Sequence, residues 1–504
     1  MARGASYLLL QTISTSAISL LAFAVIARSI TRQDMGGLAV LQLVATAASL
    51  FASLGVGSTA TRFVASFESK GEFENMRKAG YECVIINATM TVAVTLVTVL
   101  AANWLALLLF GSALNGNLFR LLGWEIAAVS IYTSFTNVLV GLKRFKELSL
   151  ASIASFAVRQ TSVVAMLVLG LGLPGILIGW GIGDSLNALL LGGFTKKFLG
   201  PFGIGFGFRK LLKFSAPLFF GQAASYAWTW FDRALLLPLV TLSQLGAYNV
   251  SVTAYGILSS VPTALSSALF PYYSHFYGDG KSASGTQNLE DAVEKASRYV
   301  SFITIPLAVG LGVTALPAAT LLAGGNYVDA AYPLAVLSIF LAIACLTSAL
   351  GQIFVVLGKT VTSAVITVAS VLLPILMGFL MISHFGIIGA SVARGVSLII
   401  SLALSVLILK MAVKVRFDLT AYRDAWLASL VMAGVVLGFE AAFYHIYLLP
   451  LYILTGAISF TFSLRFLHAI KAEDLELISH FLSPRLRFVT RWLGSLLDVK
   501  PNHD

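Results

Sequence analysis

The chain has 504 residues, 58% hydrophobic and 11% charged, with a formal net charge of +11 and a mean hydropathy of +0.90. A water-facing globular surface carries about 25% charged residues, so the composition excludes a soluble globular protein and defines a polytopic membrane protein. The excess of cations, which in a soluble chain would point to nucleic acid, belongs here to basic loops on one side of a bilayer, and no nucleic-acid partner is expected.

A spanning helix needs roughly 20 mostly apolar residues. The first such stretch lies in MARGASYLLLQTISTSAISLLAFAVIAR. It is longer than the apolar core of a signal peptide, so it reads as a span and not as a cleaved leader. Thirteen more follow, giving fourteen in all: 6–27, 38–60, 82–107, 119–141, 150–171, 174–194, 214–238, 246–269, 299–323, 332–357, 361–383, 386–409, 424–446 and 448–470. Short turns join spans 5–6, 11–12 and 13–14, leaving the number open by one pair. With the N-terminus cytoplasmic, 26 of the 33 Lys and Arg fall on inside segments and only Arg28, Arg32 and Arg120 on outside ones. That bias places both termini in the cytoplasm of a multi-pass cell-membrane protein.

Three matches recur in the same order. GLAV…RFVASFESKG from Gly37 resembles GAYN…YYSHFYGDG from Gly246, offset 209; TNVLVGLKR (136–144) resembles GQIFVVLGK (351–359), offset 215; GILIGWGIGD (175–184) resembles GIIGASVAR (386–394), offset 211. They predict two duplicated six-span lobes, at 1–208 and 209–422, in parallel orientation with a substrate site at their midplane interface. Residues 423–470 add two spans. The tail 471–504 contains LELISHFLSPRLRFVTRWLGSLLDV (475–499), which reads as an amphipathic helix on the inner leaflet.

Ionisable groups inside spans are costly and mark function or a partner. Those here are Glu125, Arg159, Asp184, Asp232, Arg233, Arg394, Glu440 and Arg465. Arg159, Asp184 and Arg394 fall near mid-depth, counting 1.5 Å per residue, while Glu125, Asp232, Arg233 and Glu440 fall in the outer half and Arg465 near the inner end. Arg159 and Asp184, at similar depth on adjacent helices, read either as an ion pair or as cavity groups. Asp232 and Arg233, neighbours in SYAWTWFDRALLLPLV (225–240), point about 100° apart on a helix, so at least one reaches another helix or a water-filled cavity. Cations on a cavity wall suit an anionic substrate, because Arg forks fit phosphate oxygens. Arg233, Arg394 and Arg159, joined by Arg28 at the outer end of span 1, are the candidate phosphate-binding residues. Arg62, at the inner end of span 2, is a candidate entrance residue or a plain basic anchor. Asp184, Asp232 and Glu440 are candidates for ion coupling or charge balance.

No phosphate-binding glycine loop, metal-ligand spacing or paired catalytic carboxylates occur in polar loops, and Cys83 and Cys345 stand far apart. No cofactor and no enzymatic activity are expected.

The pattern of six plus six plus two spans, with GGLAVLQLVATAASLFASLGVGSTATRFVASFESKG (36–71) and LGAYNVSVTAYGILSSVPTALSSALFPYYSHF (245–276), resembles the O-antigen-type polysaccharide-lipid flippases. These belong to the multidrug/oligosaccharidyl-lipid/polysaccharide exporter superfamily. The resemblance covers nearly the whole chain. It implies two lobes in a V with alternating access, and a polyprenyl-phosphate or pyrophosphate oligosaccharide carried from the inner to the outer leaflet. It also implies contact with membrane lipids and with glycan polymerases or ligases. Cationic residues of the central cavity are implicated across such flippases, and Arg28, Arg233 and Arg394, placed by depth and not by a motif match, are the candidates here.

The rival reading is a cation-coupled multidrug antiporter of the same superfamily, which an acidic residue in span 1 would favour; YLLLQTISTSAISLLAFAVIA has none. A major-facilitator transporter expects a Gly/Asp/Arg-rich loop that RFVASFESKGEFENMRKAG does not supply. A non-transporting scaffold or an integral glycosyltransferase is a different class; the transferase should show charged or acidic motifs in long loops on one side, and the outer loops here are a few residues long.

Overall fold

A computed structural model describes residues 2–278, 283–357, 359–412 and 416–470. Among these the chain is all-helical, with no strand. The α-helices are α1 (Ala2–Ser29), α2 (Arg32–Ser53), α3 (Val56–Lys70), α4 (Phe73–Leu100), α5 (Ala102–Phe110), α6 (Gly116–Gly141), α7 (Phe145–Val168), α8 (Gly172–Leu199), α9 (Phe208–Leu236), α10 (Leu242–Gly278), α11 (Ala283–Val313), α12 (Ala315–Ala323), α13 (Ala331–Ile343), α14 (Thr347–Val356), α15 (Thr360–Ala412, broken at Gly386), α16 (Leu419–Ala442) and α17 (Leu449–Phe466). Every apolar stretch read from the sequence falls on a helix or a broken helix pair, and ten segments are long and apolar enough to cross a membrane. The tail helix expected over 475–499 lies outside the described residues.

The chain divides into two compact units: residues 1–249 with 322–324, and 250–321 with 325–504. α9, read from sequence as the first helix of the second lobe, packs within the first unit.

In the first unit, the apolar stretch 38–60 is not one straight helix. α2 ends at Leu54 (φ 44°) and Gly55 (φ 75°), both left-handed, and α3 restarts at Val56. The backbone of α9 sets the break. A Cβ on Gly55 would lie 2.6 Å from the carbonyl oxygen of Ser215 and 2.8 Å from the amide of Phe219, and only glycine takes that conformation without strain. α7 and α8 cross closely through Gly175, Gly179 and Gly183, spaced four apart on one helix face. Side chains there would run into Met166, Val163 and Arg159. Small residues at this spacing let membrane helices approach backbone to backbone, where lipid offers no hydrophobic drive to hold them together.

The segment between α8 and α9 is tied down. The Glu82 carboxylate, fully buried in α4, accepts backbone N–H bonds from Gly205 (2.5 Å), Phe206 (2.8 Å) and Gly207 (2.9 Å). Beside it, the Phe206 ring meets Phe63 and Phe67 edge-on.

In the second unit, Arg298 of α11 anchors the C-terminal helix pair. Its Nη1 donates to Asp418 Oδ2 at 2.9 Å and its Nη2 to the carbonyl of Ala469 at 2.5 Å. Asp418 also caps α16 by accepting from the Ala421 amide at 2.8 Å. One buried cation thus ties α11 to both ends of the C-terminal pair.

Candidate functional site

The Asp232–Arg233 dipeptide sits three residues from the end of α9, both side chains buried at 1% and 9% exposure. Asp232 Oδ1 accepts from the Arg233 amide (2.8 Å), and its Oδ2 accepts from the hydroxyl of Tyr248 (2.7 Å). Tyr248 is itself fully buried on α10. One residue on and about 100° round the helix, the Arg233 guanidinium lies over the Trp230 ring, 4.3 Å from its centroid. The two charges therefore share a helix turn but engage different groups, as the angular argument requires. Stacked on an indole, a guanidinium gains about 0.5–2 kcal/mol and holds its N–H fork in one plane, the geometry that meets phosphate oxygens.

A second polar cluster lies where α6, α7 and α8 meet. Arg159 of α7 and Asp184 of α8 form an ion pair, Nε to Oδ2 at 3.6 Å. Arg159 also stacks on Trp180 at 4.8 Å. Glu125 of α6 stands within the electrostatic reach of both, 6% exposed. Nearby, the Trp124 indole N–H donates to Ser185 Oγ at 3.0 Å, and the Gly183 approach brings the α8 backbone against Arg159. Arg159 and Asp184, read at similar depth on adjacent helices, thus stand as an ion pair. Glu125 completes a group the sequence marked only by depth.

The other candidates are placed as follows. Arg28 is exposed in the last turn of α1. Arg62 of α3 lies over the Phe214 ring at 4.4 Å. In the second unit, Arg394 is half-buried on α15 with its guanidinium 5.9 Å from the Tyr255 ring. Glu440 is half-buried in the last turn of α16. Three groups escaped the sequence reading: Tyr248 as the partner of Asp232, Glu82 as the clamp of the 200–207 segment, and Asp418 as the partner of Arg298. The only prior signal was Glu82 itself, a carboxylate at the edge of an apolar run.

The fold is a multi-pass assembly of apolar helices. Superposition on the lipid II flippase MurJ in an inward closed conformation gives a TM-score of 0.75 at 16% identity, covering 90% of this chain and 98% of that one. A mutant form of the Vibrio cholerae MATE transporter VcmN superposes with a TM-score of 0.60 at 15% identity, covering 81% and 95%. In sequence, the chain is 25% identical over 232 residues to the probable low-salt glycan biosynthesis flippase Agl15 of Haloferax volcanii, 46% of this chain and 48% of that protein. It therefore spans about half the length of this curated relative. Residues 1–277 match the family described as polysaccharide biosynthesis protein, and the chain belongs to that family.

Proposed function

We propose that this protein is a flippase. It moves a polyprenyl-phosphate- or pyrophosphate-linked oligosaccharide from the cytoplasmic to the outer leaflet by alternating access, for assembly of a cell-surface glycan. The observation that carries this reading is the family match over 1–277, the part of the chain that holds Arg28, Arg62, Arg159, Asp184, Asp232 and Arg233. The flippase named among its relatives and the MurJ-like fold support it. Both termini lie in the cytoplasm, and the chain divides functionally into lobes 1–208 and 209–422 followed by the helix pair 423–470. Glycan polymerases or ligases receive the product. The protein transports and does not catalyse a covalent step.

In this reading the lipid tail stays in the bilayer while the phosphate meets Arg233, with Arg28, Arg394 and Arg159 as further contacts and Arg62 at the cytoplasmic entrance. Asp184, Asp232 and Glu440 balance charge or couple an ion. With the cell interior negative, outward movement of an anion is downhill by about 2.3 kcal/mol per charge per 100 mV. The antiporter reading draws on the MATE-like superposition, but α1 contains no acidic residue to hold a coupling cation.

The test is flipping of a fluorescent polyprenyl-pyrophosphate sugar by the protein in proteoliposomes, wild type against Arg233→Ala and Arg394→Ala. Loss of flipping in either well-folded variant supports phosphate recognition there. Flipping that survives both keeps the function and discards these contacts. Wild type that flips no lipid-linked sugar but exchanges cationic drugs for protons or Na⁺ supports the antiporter.

A further inference from the structure

The α6–α8 cluster has an unbalanced charge. Two carboxylates, Glu125 and Asp184, face one guanidinium, Arg159. Asp184 is 5% exposed and Glu125 is 6%. Oε2 of Glu125 is buried with no hydrogen-bond partner among the described residues, and the same holds for Oδ2 of Asp184, whose tie to Arg159 is longer than a hydrogen bond. The pair Arg159–Asp184 is by itself neutral. What makes the place a site is the second carboxylate, Glu125, buried and donorless on another helix beside that pair. The Tyr132 phenol, two turns further along α6, feels all three charges.

With every group ionised the cluster would carry one net negative charge inside the helix bundle. An uncompensated buried charge is strongly disfavoured. Something must supply one positive charge. An alkali cation is disfavoured, because the Arg159 guanidinium already occupies the cationic position against Asp184 and would repel a second cation. Nor do the described residues contain a group of three or more His, Cys, Asp or Glu that could hold a metal ion. A proton meets no such obstacle. It bonds to the carboxylate oxygen, turns an acceptor without a donor into a donor, and leaves the cluster neutral.

The geometry points to Glu125, Asp184 and Arg159 as a proton-binding site in the first unit, with Glu125 Oε2 as the atom that takes the proton. The step balances simply: a hydronium O–H bond breaks, an O–H bond to Glu125 Oε2 forms and a neutral water is left, and release reverses this by returning the proton to water. The charged groups that face Glu125 are Arg159 from α7 and Asp184 from α8; α4 meets the neighbouring turn of α6 with Thr95 and Val99 at Gly123, which carry no charge. This inference deepens the flippase reading, since a site that alternates between charge −1 and 0 is a means of coupling transport to the proton gradient. Its existence, however, does not depend on what is transported.

The experiment follows the C=O stretching band of protonated carboxyls by infrared spectroscopy on the full chain in lipid nanodiscs, as a function of pH. It requires no transport, so its failure is separable from failure of the flippase assay. One band present at neutral pH, where exposed carboxylates are ionised, is expected in wild type. It is expected to disappear in Glu125→Gln and to persist unchanged when choline replaces Na⁺. In Asp184→Asn its midpoint should move by about one pH unit or more, the size of a close charge's effect; this variant serves if Glu125→Gln does not fold. Absence of the band in wild type, its persistence in folded Glu125→Gln, or an unmoved midpoint in Asp184→Asn overturns the proposal. Loss of the band on adding Na⁺ at constant pH overturns it in favour of an alkali-cation site.

Discussion

Gly36 and Gly246 occupy reciprocal positions: a Cβ on Gly36 would overlap the carbonyl oxygen of Leu242, and a Cβ on Gly246 would overlap the carbonyl oxygen of Arg32. Residues 36 and 246 are 210 apart, and so are 32 and 242. Each first turn, of α2 and of α10, therefore touches the other with the same pair of positions, as two copies of one segment would. A second echo lies inside the units. Gly181 abuts the Trp124 indole in the first, and Gly395 abuts the Phe340 ring in the second.

Because backbone opposes each glycine, no side chain can rotate away to make room. Gly246→Val and Gly36→Val should each destabilise the protein by about 1–3 kcal/mol, read as a lower melting temperature in detergent. Gly434→Val, where nothing lies within 4 Å, is the control and should leave the melting temperature nearly unchanged.

Glu82 holds three amides of the segment before α9. Hydrogen bonds to a charged acceptor are worth about 1.5–3 kcal/mol each, and losing the acceptor orphans all three donors. Glu82→Ala should raise amide hydrogen exchange at Gly205, Phe206 and Gly207 by roughly tenfold or more, the factor that about 1.4 kcal/mol of lost protection gives, with α8 unaffected. Unchanged exchange there would show that the aromatic packing of Phe206 alone holds the segment.

Tyr248→Phe removes the donor to Asp232 Oδ2 while keeping the ring. A buried carboxylate that loses such a donor is destabilised by about 1–3 kcal/mol. The expected result is a lower melting temperature, rescued by Asp232→Asn in the Tyr248→Phe background because the amide no longer buries a charge. A double variant less stable than either single one would contradict the pairing.

Burial pushes the Asp418 carboxyl up, but hydrogen bonds from Thr420, the Ala421 amide and Arg298, together with the Arg298 charge, outweigh it and hold the group below its ordinary value. A carboxyl held low stabilises the fold at every pH above its unfolded value, about 3.9, and loses that contribution as pH falls through the lower folded value. Asp418→Asn should therefore melt below wild type at pH 7, by an amount set by breaking a buried pair, about 3 kcal/mol. The difference should close as pH drops below about 4. A gap independent of pH would mean that the N-cap, not the charge, accounts for it.

Much of this was readable in the sequence because lipid imposes a simple rule: apolar runs of spanning length become helices, since no other structure satisfies their backbone. Arg159 and Asp184 were readable as a pair because a short turn joins their helices, so residue counting gives their depths. The break at Gly55 was not readable, since it depends on the approach of Ser215 and Phe219 on α9, far along the chain. Glu82 meets partners 123 to 125 residues away, and no periodicity encodes that. Tyr248 reads as one more apolar residue of α10 until the fold brings it to Asp232. The role of Glu125 likewise depends on three helices meeting.

Flippase activity is tested most directly by the leaflet exposure of a fluorescent polyprenyl-pyrophosphate sugar. The lipid is placed in the inner leaflet of proteoliposomes and probed with a membrane-impermeant reductant while an inside-negative potential is imposed. Wild-type protein is expected to make the inner-leaflet pool reducible, and the potential to speed this. Protection equal to that in protein-free liposomes, at every potential and with several lipid-linked sugars, would contradict a flippase.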